Sequence, residues 1–472
     1  MLSLIVFSIV LVLIIYISLT TNNKAAMYAP AWGGGLYCLL HIVPRLHYVF
    51  SGNVQIFAGG SIVDYDFGSY IDAVFLLTWL AGYAIVIGRS RINLNLEINK
   101  EEIGICKVIV ALACISMCYS LYRDITTHSI FYGFYQKMVA TNIDAIRFTG
   151  IERSPYEFGY AVLGALYVLH IRGNPTIFKN SRLFFVGIVV LLLGETFLAM
   201  QGGPLLKLAG ISIIVFYLGN RTKSLVFILI SICLFTVIAR GIMEEGRNIR
   251  YLIKNENQVD VLNASIESMG RKTEKFVESA AGRMDYSSAS GVLARWTESI
   301  GYAGFYPYYT LLFVPIPRAI WPDKPIPNSA DGTYFSLPEP IAQYAMGGDI
   351  MSTAAVGAGG VCWWEGGFGG VVIGGVISGI LMGLFIRRLA GRNGFWWLVL
   401  TISATAIGLD ILRAPNVFLF NYYNKGFVLL CLYFGSRILV RFSRTVGERY
   451  SSPFPAVGTN QSRMIHKNMA KV

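Results

Sequence analysis

The chain has 472 residues, of which 54% are hydrophobic and only 14% are charged, and its mean hydropathy is +0.55. This composition excludes a soluble globular protein and indicates a chain that folds in lipid. The formal net charge of +12 requires no nucleic-acid partner, because much of it falls in loops expected on the cytoplasmic side, where anionic membrane lipids attract it.

Apolar runs long enough to cross a bilayer as helix, roughly 17 to 22 residues each, recur along most of the sequence. They predict an all-α integral membrane protein with about eleven transmembrane helices, within a range of about 10 to 14. In chain order the predicted spans are 2–19, 30–50, 67–88, 103–121, 156–171, 183–200, 204–218, 225–240, 368–386, 395–412 and 419–439.

The short loops predict the orientation of these spans, because Lys and Arg accumulate on the cytoplasmic side. Basic residues follow every second span, whereas the loop at 51–66 has no Lys or Arg and carries Asp64 and Asp66. The N-terminus is therefore expected outside and the C-terminus inside. No positive region precedes the first run, so an uncleaved anchor fits it better than a signal peptide.

Four regions follow from this topology. Residues 1–240 are expected to form an N-terminal membrane bundle of about eight spans with an exported loop at 122–155, and 241–367 a large extracytoplasmic loop. Six prolines between Pro307 and Pro327 forbid a continuous helix there, so the apolar part of 305–320 is interpreted as a re-entrant or interfacial piece. Residues 368–440 hold about three further spans, and 441–472 form a basic cytoplasmic tail.

Ionisable residues within the predicted spans gather near the outer face, which is unusual because such residues are costly in lipid. They are His41, Arg45, His47, Asp72, Glu157, Glu195, Lys207, Arg240, Asp410 and Arg413, whereas Lys107 lies near the inner end, where it can snorkel. One outward-opening polar cavity would explain the asymmetry, and its cations would suit a lipid-linked phosphate or pyrophosphate. The alternative is that these cations neutralise the acids as buried pairs, or snorkel to lipid phosphates.

Two further patterns lie around the large loop. Aromatic residues surround its proline-rich part, and Tyr306, Tyr309, Trp321 and Tyr334 are interpreted as platforms for sugar rings, although such side chains also anchor proteins at the membrane interface. Glycines then repeat every fourth residue, at Gly366, Gly370 and Gly374 and at Gly375, Gly379 and Gly383. This spacing favours close helix packing.

Two motifs resemble the Wzy-type oligosaccharide repeat unit polymerases, which include the O-antigen polymerases. They are VPIPRAIWPDKP at 314–325 and WWEGGFGGVVIGG at 363–375, where the second opens a helix. The resemblance implies a helical GT-C-like glycosyltransferase of the bacterial inner membrane. Its substrates would be undecaprenyl-pyrophosphate-linked oligosaccharides at the outer leaflet, with no metal or other cofactor and with a chain-length regulator protein as a partner.

The resemblance also implies roles for individual residues. The family's Arg-x10-Gly pattern fits Arg153 to Gly164 and Arg271 to Gly282, whereas the sequence AMQGGPLLK departs from the family and leaves Lys207 as its nearest cation. Candidates for holding the pyrophosphate are Arg45, Arg147, Arg153, Lys207, Arg318, Lys324 and Arg413. Candidates for the general base are Glu157, Asp331, Glu339, Asp349 and Glu365, among which the position of Glu365 in the second motif favours it.

Two alternatives stay open. An O-antigen ligase-like transferase would be expected to carry a histidine in its large exported loop, and 241–367 contains none. A polysaccharide or lipid transporter would be expected to place charges near the bilayer midplane and to show an internal repeat.

Overall fold

The structure, a computed structural model, describes residues 2–51, 61–88, 90, 92–126, 143–172, 203–219, 286–313, 321, 356–405 and 411–451. These residues are all-helical, without strands, which confirms the predicted class. Five helices in these ranges are long and apolar enough to cross a membrane, at Leu2–Thr20, Ile62–Ile87, Lys100–Tyr119, Ala358–Arg388 and Pro415–Ser443. The predicted spans at 183–200 and 225–240 lie outside the described residues, so the total of eleven stays a prediction.

Twelve α-helices are described, and we number them in chain order. They are α1 (Leu2–Thr20), α2 (Lys24–Tyr28), α3 (Gly35–Ser51), α4 (Ile62–Ile87), α5 (Lys100–Thr126), α6 (Ile143–Ile171), α7 (Gly203–Leu218), α8 (Tyr286–Ile300), α9 (Tyr306–Leu311), α10 (Ala358–Arg388), α11 (Gly394–Thr405) and α12 (Pro415–Ser451). A π-helical turn at Ala29–Gly34 joins α2 to α3.

The bounds of α5, α6 and α10 extend into segments predicted as exported loops. Helix α5 continues to Thr126 and α6 begins at Ile143, so both sides of the predicted loop 122–155 are helical. Helix α10 begins at Ala358 rather than Phe368, because the chain turns sharply at Gly366 and Gly367 and the residues before this turn are already helical. The second polymerase-like motif therefore lies within a helix rather than at its beginning.

Helices α4 and α10 form the most extensive helix pair of the fold. They run in the same direction, since Gly375 packs on Phe75 and Thr78, Gly379 on Trp79 and Tyr83, and Gly383 on Val86. A Cβ at Gly379 would lie 2.7 Å from the backbone nitrogen of Tyr83, which is closer than side-chain carbons approach. The predicted small-residue packing is confirmed for this stripe of glycines.

The other predicted stripe has a different role. Gly366 belongs to the turn in α10, and Gly370 and Gly374 pack against Cys362 of the same helix, from the residues before the turn. The predicted packing on a second helix is confirmed within this stripe at Gly374 alone, where a Cβ would also lie 3.6 Å from Pro415 of α12. The fourfold spacing is the same in both stripes, but here the small residues let one helix fold closely against its own beginning.

Helix α8 comes from the predicted large loop and packs on the first part of α4 and on α10. The backbones of α4 and α8 touch at Gly68 and Gly291, where any Cβ would overlap a carbonyl oxygen of the opposite helix. Ser61 and Asp64 form a capping box that fixes the beginning of α4 at this contact. The exposed guanidinium of Arg295 on α8 also lies 3.3 Å from the Asp64 carboxylate.

Charged side chains divide between the two ends of the α4–α10 pair. In the part of the chain that the structure describes, the buried His, Arg, Asp and Glu residues are His41, Arg45, Asp64, Asp72 and Glu365. All five lie in the half of the bundle where α4 and α10 begin, which we call the polar end. At the other end, Arg437 and Arg441 of α12 each lie 3.1 Å from Glu101 at the start of α5.

Candidate functional site

A break in α10 forms the centre of the candidate site. Gly367 has φ +62° and ψ −148°, a backbone conformation that side chains with a Cβ rarely adopt. The break divides α10 into a short first part, Ala358–Glu365, and a long second part that continues to Arg388. We call the first part the Glu365 segment. It ends on Glu365, so the last side chain before the break is a carboxylate.

The loop after α8 docks onto the end of the Glu365 segment. The backbone N–H of Ala303 donates to the carbonyl of Trp364 at 2.9 Å, and that of Gly304 donates to the carbonyl of Glu365 at 3.0 Å. The break leaves the last carbonyls of the segment without their usual helical partners, and these bonds satisfy two of them. Gly301 and Gly304 both have positive φ, which lets the loop turn tightly into this position.

The docked loop brings a tyrosine to the carboxylate. Helix α9 begins two residues after Gly304, and the hydroxyl of Tyr308 in α9 donates to Glu365 Oε2 at 3.1 Å. Burial raises the pKa of the Tyr308 phenol well above its usual range, and the neighbouring Glu365 carboxylate raises it further. The phenol therefore stays protonated and fixes one oxygen of Glu365.

The second oxygen of Glu365 is left for another partner. Oε1 is buried and has no hydrogen-bond partner among the described residues. Glu365 as a whole is 9% exposed, while its neighbour Gly366 lies at the surface. A buried carboxylate oxygen without a donor costs free energy, so such an oxygen directly below the surface is suited to receive a hydroxyl from a ligand.

Aromatic rings extend from this carboxylate along the surface. Phe313 contacts Tyr309 edge to face at 5.0 Å and Trp321 at 5.3 Å between ring centroids. Tyr309 and Trp321 are exposed and Tyr306 is half-buried. The structure therefore brings together three of the four predicted sugar platforms, with Phe313 as a link that the sequence did not single out. Tyr334 lies outside the described residues.

The segment that carries Arg413 contacts α10 and Tyr308 of α9. It precedes α12 by two residues, and its carbonyl accepts a hydrogen bond from Ser378 of α10 at 2.6 Å. Asn416, three residues further on, makes a backbone hydrogen bond to Tyr308. The backbone three residues after the predicted pyrophosphate ligand Arg413 thus contacts Tyr308, the partner of the predicted base Glu365.

Two other predicted site residues have partners within the protein. The Arg45 guanidinium lies 2.8 Å from Asp66 and sits over the rings of Tyr48 and Tyr65 at 5.3 and 5.2 Å. Glu157 of α6 forms an ion pair with Lys425 of α12. Both arrangements correspond to the alternative in which intramembrane charges neutralise one another.

The remaining candidates are placed only in part. The backbones of Arg147 and Arg153 belong to α6 and that of Lys207 to α7, but their side chains lie outside the described part of the structure. Asp331, Glu339, Asp349, Arg318 and Lys324 lie wholly outside it, as do Glu195, Arg240 and Asp410. Their predicted roles stay predictions.

The sequence reasoning missed Lys425 and the partners of Asp72. Lys425 lies within the predicted span 419–439 and meets the criterion of an intramembrane charge that singled out the others. Asp72 was recognised as such a charge, but its partners on three other helices carry no signal in the sequence. Comparison of the chain with protein-family models, curated proteins and solved structures finds no match.

Proposed function

We propose that the protein is a glycosyltransferase of the bacterial inner membrane that polymerises undecaprenyl-pyrophosphate-linked oligosaccharide repeat units at the outer leaflet. The observation that carries this proposal is the Tyr308–Glu365 pair. A buried carboxylate with one oxygen fixed by a phenol, and with no donor to the other among the described residues, has the form of a general base that awaits a hydroxyl.

The reaction would proceed in one displacement. Glu365 Oε1 takes the proton of a hydroxyl on the acceptor oligosaccharide, whose oxygen forms a bond to the anomeric carbon of the donor. The bond from that carbon to the pyrophosphate breaks, and undecaprenyl pyrophosphate leaves with the electron pair. Arg413 would stabilise the charge that develops on the leaving group, together with Arg153, Arg318 and Lys324. The exposed Tyr309 and Trp321 would support the sugars.

The resemblance and the site support the same residue independently. Glu365 lies in the polymerase-like motif WWEGGFGGVVIGG, and the geometry of α10 gives it a buried position beside aromatic residues. A GT-C-like fold, the inner membrane as location, an outside N-terminus and a chain-length regulator protein as partner belong to this proposal as well.

A deletion strain of the source bacterium tests the proposal. We expect lipid-linked glycans of a single repeat in the deletion strain, long chains after complementation with the wild-type gene, and single repeats again with Glu365→Gln. Glu298→Gln on α8 is the matched control, because Glu298 is exposed and makes the same change of charge.

The outcomes separate the alternatives. A deletion strain that polymerises glycan but fails to transfer it to its final acceptor indicates a ligase, and one that accumulates lipid-linked repeats inside the cell indicates a transporter. Long chains in a Glu365→Gln strain with normal protein abundance would exclude Glu365 as the base.

A further inference from the structure

A second buried carboxylate lies behind the candidate site and has no part in the proposed reaction. Asp72 of α4 is fully buried. It accepts hydrogen bonds from the Tyr37 hydroxyl at 2.8 Å, from the Ser290 hydroxyl at 2.9 Å and from the Gly359 backbone N–H at 2.9 Å. The Nε2 atom of His41 lies 3.8 Å from Asp72 Oδ2. Four segments of the chain thus converge on this one side chain.

These contacts cap the beginning of α10. The first N–H groups of a helix have no partner within it, and a side chain at the N-cap usually accepts from one of them. Here the N-cap residue is Gly357, which has no side chain to do so. Asp72 instead accepts from Gly359, and Ser290 Oγ accepts from Gly357 at 3.0 Å. Two other helices, α4 and α8, therefore supply the cap.

The glycines at the start of α10 let the side chains of Asp72 and Ser290 reach the helix backbone. A Cβ at Gly359 would lie 2.7 Å from Asp72 Oδ1, and one at Gly360 would lie 2.8 Å from the Cα of Ser290. A Cβ at Gly357 would overlap the Asp72 carboxylate. Side chains at these positions would push α4 and α8 away, so the glycines allow the carboxylate and the hydroxyl to reach the helix backbone.

The capped helix start belongs to the Glu365 segment. That segment is held at its beginning by Asp72 and Ser290 and at its end by the N–H groups of Ala303 and Gly304. Gly359 and Glu365 are six residues apart, which is about 9 Å along a helix. A displacement at the capped end would therefore be transmitted to Glu365 over less than two turns.

We propose that Asp72, with Ser290 as its relay, is a positioning residue that fixes the Glu365 segment and thereby the geometry of the Tyr308–Glu365 pair. The inference rests on the proposed function for its effect on glycan synthesis, but not for its effect on the structure. The carboxylate acts through hydrogen-bond acceptance, and transfers no proton itself.

Three variants test this role. Asp72→Ala removes the acceptor, Ser290→Ala removes the link to Gly357, and Asp72→Asn keeps an oxygen for Tyr37 and Gly359 while its amide can donate to Ser290. Thr401→Val is the matched control, because Thr401 is fully buried in α11 and, among the described residues, its hydroxyl donates to Trp397 of the same helix. We expect at least tenfold slower glycan synthesis for Asp72→Ala and Ser290→Ala, and synthesis within about threefold of wild type for Asp72→Asn and Thr401→Val.

Hydrogen exchange of the full-length protein in detergent or nanodiscs gives a readout that is independent of activity. The amides of Ala303 and Gly304 report whether the far end of the Glu365 segment stays docked. We expect their exchange to accelerate at least tenfold in Asp72→Ala and in Ser290→Ala, with exchange in α11 unchanged. Ser290→Ala removes a single oxygen, so it keeps the test valid if Asp72→Ala does not fold.

The two readouts separate the inference from the proposed function. Unchanged exchange at Ala303 and Gly304 in the folded variants overturns the positioning role, even if Glu365→Gln is inactive. Accelerated exchange together with full activity of Glu365→Gln supports the positioning role while excluding Glu365 as the base. If Asp72→Asn is as inactive as Asp72→Ala, Asp72 acts through its charge or a proton, and the positioning role is wrong.

Discussion

Tyr308 donates a hydrogen bond to Glu365 across 57 positions of sequence, at a distance of 3.1 Å. Three features produce this contact, namely the loop turned by Gly301 and Gly304, the break at Gly367 and the start of α10, which side chains of α4 and α8 cap. None of them involves a long-range charge pair. The site is therefore built by backbone turns together with side chains from distant segments.

Removal of the phenol tests the fixed oxygen of Glu365. In Tyr308→Phe the ring is kept but Oε2 loses its donor, so the carboxylate can rotate away from its productive orientation. A hydrogen bond to a charged group contributes about 1.5 kcal/mol or more, which corresponds to about tenfold slower glycan synthesis. Chain lengths on gels and the rate of transfer to a lipid-linked acceptor measure this effect. Tyr423→Phe, at an exposed position of α12, should leave both unchanged.

The break in α10 depends on a residue without a Cβ. Gly367→Ala forces an alanine into a backbone conformation at φ +62° and places its Cβ 3.2 Å from the Tyr302 hydroxyl. We expect a loss of about 1–3 kcal/mol in the free energy of unfolding, measured by thermal or denaturant unfolding in detergent. Gly369→Ala is the control two residues away, where a Cβ would meet nothing within 4 Å. Equal stability of the two variants would contradict the described break.

The sequence predicted the packing between helices better than it predicted the contacts of the site. The packing of Gly375, Gly379 and Gly383 on α4 was predictable, because helical spacing determines which residues share a face. The same spacing misassigned Gly366, since a period does not reveal where a helix breaks. Glu365 was identified from its motif, but Tyr308, Asp72 and Lys425 gain their roles from contacts between distant segments, and a single sequence carries no information on such contacts.

Labelling of introduced cysteines tests the predicted orientation. In a cysteine-free background, Phe305→Cys presents a thiol next to α9 at the polar end, where Phe305 is 87% exposed. Arg392→Cys presents one in the turn between α10 and α11, at the opposite end. An impermeant maleimide added to intact cells should label position 305 at once, and position 392 only after permeabilisation. The reverse pattern would place the polar end in the cytoplasm and remove the outer leaflet from the proposed function.

The ion pair between Glu157 and Lys425 distinguishes a structural acid from a catalytic one. Both side chains are partly buried, with 14% and 26% of their surfaces exposed. Removal of one charge takes an oppositely charged partner from the other, so Glu157→Gln and Lys425→Met should each lower the free energy of unfolding by about 1–3 kcal/mol. The double variant should recover most of this loss, because it removes both charges together. Glycan synthesis should follow the same pattern, with the double variant close to wild type. A stable double variant that is inactive, beside a Lys425→Met variant that keeps its activity, would instead assign the general base to Glu157.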